Sequence, residues 1–181
     1  MSPSQTVGPF YAFALTQKAE LGCLCSDGFQ GERIRLRLRL TDGDGAPVTD
    51  GMVEIWQADA GGRYAHPEDP QCGAADPSFC GFGRLSTHDG GVCVFDTVRP
   101  GPSGNQASHI NVSIFARGLL NHLFTRVYFA GDPLLETDPV LALVPEERRD
   151  TLLARRDPEN PAEWNLDIHL QGENETVFFA V

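Results

Sequence analysis

The sequence predicts an all-β protein: a β-sandwich with long loops and one short surface helix, built as a single domain over 1–181. Three observations predict it. The 19 glycines and 13 prolines recur along the whole chain and leave short apolar segments separated by turn residues. One of those segments, 34–40, alternates without a break. Ile34, Leu36, Leu38 and Leu40 fall on one face and Arg35, Arg37 and Arg39 on the other, the period of two that a half-buried strand requires. Finally, 181 residues suffice for one sizeable core and are few for two.

Taken in order, the 34–40 strand runs into Asp42-Gly43-Asp44-Gly45, a run of turn formers that reverses the chain. Further strands are predicted at 52–58, 91–98, 110–116, 124–129, 165–170 and 176–181. Each is rich in β-branched or aromatic residues and bounded by Gly, Pro, Asp or Asn. Seven short strands with frequent turns argue for two packed sheets. The segment 145–156 reads differently. Pro145 stands at a first helical position, Glu146 and Glu147 follow in the first turn, and Arg155 and Arg156 close the end, the charge order that the helix dipole favours. It is the predicted surface helix. Between 61 and 82 the chain is rich in Gly, Pro and Asp and too long for a simple connection, so a functional or interfacial loop is expected there.

Charge narrows the partners. With 14 Lys and Arg against 25 Asp and Glu, the net charge of −11 repels nucleic-acid phosphates and anionic lipid headgroups. No apolar run reaches membrane-spanning length, and the first eleven residues lack the basic region and apolar core of a secretory signal. A cytoplasmic protein is expected. The five cysteines, Cys23, Cys25, Cys72, Cys80 and Cys93, show neither a CxxC pair nor zinc-site spacing, and read as reduced thiols without a role.

The residues alone point to little chemistry. His66, His88, His109, His122 and His169 include no HxH or HExxH pair. His109 and Asn111 share one strand face two residues apart, but an imidazole and an amide make a weak metal site. No GxSxG elbow marks a nucleophile, and no Gly-rich stretch carries the GKS or GKT of a phosphate loop. Arg117 ends the strand 110–116 just before Gly118, where its guanidinium, projected at a sandwich rim, could hold a carboxylate with two parallel bonds.

Several strings nevertheless resemble one family in order along nearly the whole chain. SQTVGPFY near the start, VEIWQADAGGRY at 53–64, DPSFCGFGR at 76–84, TVRPG at 97–101, HINVSIFARG at 109–118, TRVYFAGD at 125–132 and IHLQGENETVFF at 168–179 are similar to the intradiol ring-cleaving dioxygenases. The resemblance implies an oxygenase that opens 3,4-dihydroxybenzoate or a related catechol with O2 between its two hydroxylated carbons, using Fe(III) held by two tyrosines and two histidines. Carried over residue by residue, it also implies that this chain has lost that centre. The two tyrosine positions fall on Gln71 and Ser103, the second histidine on Asn111, and an assisting arginine on Gln106; His109 alone is retained. The expectation is a subunit with no catalytic residue or metal of its own, paired with a β subunit that holds the iron. It would contribute one wall of the substrate cleft through Thr6, Pro9, Phe10 and Arg117. Phe10 stands where the pattern usually has tyrosine. A non-catalytic binding or scaffold module that records ancestry only is the alternative, and a metalloenzyme built on His109 with other ligands a weaker third.

Overall fold

The computed structural model describes residues 3–8 and 10–180. One helix, α1 (Phe10–Leu15), precedes eight strands: β1 (Arg33–Thr41), β2 (Met52–Gln57), β3 (Phe82–Ser86), β4 (Val92–Val98), β5 (His109–Phe115), β6 (Leu123–Phe129), β7 (Leu153–Arg156) and β8 (Glu163–His169). They hydrogen-bond in the order β3-β2-β5-β6-β7-β8-β1-β4. The sheet folds over on itself, and the inner faces of β1, β4 and β8 meet those of β2, β5 and β6 in one core. All-β architecture is therefore observed, as a nearly closed sandwich.

The alternation of β1 carries through to packing. Ile34, Leu36, Leu38 and Leu40 are buried. The opposite face pairs its arginines with neighbouring strands: Arg33 with Asp96 (2.5 Å), Arg35 with Glu163 (3.8 Å) and Arg39 with Asp167 (2.8 Å). Burial of four branched side chains drives the strand, at roughly 1.5–3 kcal/mol each, whereas the exposed ion pairs add little.

Two expectations are corrected. The segment 145–156 is not a continuous helix: a short 3-10 helix, Glu146–Leu152, gives way to β7. Charge order cannot outweigh the ladder waiting on both sides. β7 pairs in parallel with β6 (Tyr128↔Leu153, Phe129↔Ala154) and antiparallel with β8 (Arg155↔Asn165, Arg156↔Trp164), joining the two layers. The segment 176–181 forms no strand over its described residues. It is pinned at points, by the Thr176 N–H to the His169 carbonyl (2.9 Å) and the Phe179 N–H to the Phe124 carbonyl (2.8 Å). The loop expected between 61 and 82 does end at Phe82, where β3, a strand not predicted, begins.

That loop is long but ordered by carboxylates. Buried Asp59 accepts the N–H groups of Gly61 (2.8 Å), Arg63 (2.9 Å) and Asp76 (2.9 Å), and Asp69 accepts those of Tyr64 (2.7 Å) and Gln71 (2.7 Å). Gly62, at φ +78°, sits so close to the Pro102 carbonyl that a Cβ would lie 2.0 Å from its oxygen. Only glycine permits this approach, which holds the loop against the segment leading into β5.

Candidate functional site

Two groups of candidate residues emerge on the fold. The first lies at the rim where β5 ends. The Gly118 N–H donates to Thr6 Oγ1 at 2.8 Å, so the N-terminal segment folds back beside Arg117. Tyr11 donates its hydroxyl to the Asp50 carbonyl, and Arg117 pairs through Nε with the Asp50 carboxylate. Thr6 and Arg117 are thus brought together, although Asp50 partly neutralises the arginine. Arg117 lines a groove of about 510 Å³ together with Asp50 and Gly118. Phe10 is 78% exposed, and Tyr11 turns inward rather than supplying the hydroxyl that Phe10 lacks. Pro9 lies outside the described residues.

The second group lies on the outer face of β2, β5 and β6. Alternation turns Ile110, Val112 and Ile114 into the core and leaves His109, Asn111 and Ser113 on the other side. Strand register then aligns neighbours: His109 opposite Tyr128, and Asn111 opposite Arg126 on β6 and Trp56 on β2. From the long loop Tyr64 stacks on Trp56 (ring centroids 5.9 Å apart) and brings its hydroxyl within 3.5 Å of His109 Nε2. In sequence no tyrosine is near His109; in the fold two flank it.

Hydrogen bonds fix the state of His109. The Ala107 carbonyl can only accept, so Nδ1, at 2.8 Å, carries the proton and Nε2 presents its lone pair to the Tyr64 hydroxyl. Ala107 is held in turn by Asp138, a fully buried carboxylate on the β6–β7 connection. Asp138 accepts from the Ala107 N–H (2.8 Å), the Tyr128 hydroxyl (3.1 Å) and the N–H groups of Val140 (2.9 Å) and Leu141 (2.7 Å). Burial is the main cause of every shift here. It holds His109 below the ordinary histidine range, raises Tyr64 against the opposing pull of Arg126 and Asn111, and pushes Tyr128 up to about 12.

As a donor set for ferric iron this cluster is a poor fit. A hard trivalent ion wants anionic oxygen, and the positions that the family resemblance assigns to ligands hold two amides and a hydroxyl instead: Asn111, Gln71 and Ser103. Asn111 offers an amide oxygen, buried and without a hydrogen-bond partner. Gln71 is exposed at the start of a 3-10 turn. Ser103 joins Gln106 in a tight turn, its carbonyl accepting the Gln106 N–H at 3.0 Å. Gln106 Oε1 takes a bond from Arg126 Nη1 at 2.7 Å, which puts a cation in the cluster. No group of three or more His, Cys, Asp or Glu able to hold a metal occurs among the described residues. Tyr64, Arg126, Tyr128 and Asp138 went unmarked in the sequence, because only strand register and loop closure bring them to His109.

Comparison with known proteins gives a consistent picture. Residues 7–172 match the family model described as Dioxygenase. The chain is 41% identical to the protocatechuate 3,4-dioxygenase alpha chain of Burkholderia cepacia, over 99% of this chain and 97% of that one. It is 39% identical to the beta chain from the same organism, over 81% of this chain and 67% of that one. An intradiol ring-cleavage dioxygenase from Tetranychus urticae shares the fold, with a TM-score of 0.67 at 21% identity over 96% of this chain and 97% of that one. No helix among the described residues is long and apolar enough to cross a membrane.

Proposed function

The chain belongs to the dioxygenase family, and from that premise we propose that it is the alpha, iron-free subunit of a protocatechuate 3,4-dioxygenase. The observation that carries this reading is the 41% identity to an alpha chain along almost its full length. The complex adds both atoms of O2 to 3,4-dihydroxybenzoate and opens its ring to 3-carboxy-cis,cis-muconate. In this reading a beta subunit of the same fold holds the Fe(III), which supplies the oxidising centre. The positions Gln71, Ser103 and Asn111 are where this chain lost its own ligands, with His109 left behind.

What remains for this chain is to bind and orient. Thr6, Pro9, Phe10 and Arg117 form one wall of the partner's cleft. Arg117 offers a guanidinium to a carboxylate of substrate or product, a local attraction in a chain of net charge −11. Asp50 tempers that attraction and orients the side chain until an anion arrives. Exposed Phe10 and Leu120 suit burial against the partner. Five free thiols are in keeping with the reducing cytoplasm.

The test is iron content and protocatechuate-dependent oxygen uptake for the chain expressed alone and with its beta partner. Iron and activity only in the co-expressed complex, at one iron per pair, are expected. Stoichiometric iron and turnover in the chain alone would overturn the reading.

A further inference from the structure

The cluster around His109 has more than missing ligands: a positive charge of its own stands in it. Arg126 lies directly across the β5–β6 ladder from Asn111. Its Nη1 donates to Gln106 Oε1 (2.7 Å) and reaches the Tyr128 hydroxyl (3.4 Å). No carboxylate forms an ion pair with it among the described residues; Asp138 lies beyond Tyr128 and spends its oxygens on four other donors. Its Nε is buried and has no hydrogen-bond partner, nor has Asn111 Oδ1 across the ladder. A guanidinium does not lose its proton in a protein, so this charge is permanent.

We infer that Arg126 is a resident cation that keeps metal ions out of the His109 centre, a guanidinium standing in for the charge of the lost iron. The inference rests on the subunit reading above, which makes His109 and Asn111 former ligand positions. Loss of ligands weakens a metal site, whereas a fixed cation on the neighbouring strand also opposes its recovery. Even at the dielectric constant of water, a divalent ion about 6 Å from a unit charge loses about tenfold in affinity, and a partly buried site loses more. Restoring ligands alone would therefore give back only a weakened metal site.

The experiment adds one ligand and varies the charge. Asn111→His places a second imidazole on the His109 face, two residues along and close to Tyr64. The full chain carrying Asn111→His is compared with Asn111→His/Arg126→Gln and Asn111→His/Arg126→Lys in calorimetric titrations with Zn²⁺, with circular dichroism to verify folding. Arg126→Met replaces the glutamine variant if that one fails to fold. Removal of the charge is expected to tighten zinc binding by at least about tenfold, while the lysine variant stays within about twofold of the single mutant because its charge is kept. Equal affinity in all three, absence of binding included, overturns the role of Arg126. Zinc binding by the unmutated chain that His109→Ala abolishes would instead overturn the subunit reading.

Discussion

Replacing Asp138 by alanine is the sharpest probe of how the His109 cluster is built. The carboxylate is fully buried and accepts four hydrogen bonds. The Val140 and Leu141 N–H groups open a 3-10 turn and can reach water once the loop relaxes. The Ala107 N–H and the Tyr128 hydroxyl cannot, since both residues are fully buried. Two buried donors left unpaired, at about 1–3 kcal/mol each, place the loss at roughly 2–6 kcal/mol, a large part of a typical 5–15 kcal/mol of stability. Asp138→Asn keeps the oxygen that serves three donors but turns an amide toward the Ala107 N–H, and about half that loss is expected. Urea unfolding followed by the fluorescence of Trp56 and Trp164 measures both. Asp96→Ala, which breaks the exposed pair with Arg33, serves as reference and should cost under about 1 kcal/mol. If Asp138→Ala costs no more than Asp96→Ala, the carboxylate does not organise the cluster and the reasoning fails.

Other outcomes follow from the same geometry. In the assembled enzyme Arg117→Ala should raise KM for protocatechuate roughly three- to tenfold, the size of one charge-assisted contact weakened by the competing Asp50, with iron content unchanged; unaltered steady-state kinetics would remove Arg117 from the cleft. Gly62→Ala should destabilise by roughly 2–4 kcal/mol in a thermal melt, combining a left-handed backbone with a collision at the Pro102 carbonyl. Gly45→Ala, also at φ +78° but in open space, is the comparison and should cost only about 1 kcal/mol. Burial depresses the folded-state pKa of His109 below its ordinary 6.5. Above that pH both folded and unfolded chains leave it neutral. Below it the unfolded chain takes up a proton that the native state resists, so stability falls as the medium is acidified. Urea midpoints between pH 7.5 and 5 should show this slope, and His109→Gln should flatten it.

Much of the fold was legible in the sequence because half-buried strands write their own period. β1 is the clearest case: its leucines and arginines sort to opposite faces as the alternation requires, and the six predicted strands that formed differ from their observed bounds by a few residues at most. The tail from 176 reads as a strand by composition but meets only point contacts. The short β3, directly after the predicted loop, was not predicted, its Phe82, Arg84 and Ser86 offering too little pattern to stand out. The 145–156 segment misled because dipole-ordered charges are worth only about 0.3–1 kcal/mol apiece, less than the hydrogen bonds that β7 makes to strands on both sides.

What the sequence by itself determined is the β-rich class, the acidic charge and the run of strings that places the chain in its family. Each of these is local, readable from neighbours a few residues apart. Only the tertiary structure decided what surrounds His109. Tyr64 reaches it across 45 positions of chain, Arg126 arrives on the facing strand, and Asp138 acts through Ala107 from the far side of β6. The physical reason is that ladder register and loop closure, rather than sequence spacing, set which charges and lone pairs share a buried space, and such a space responds to every one of them.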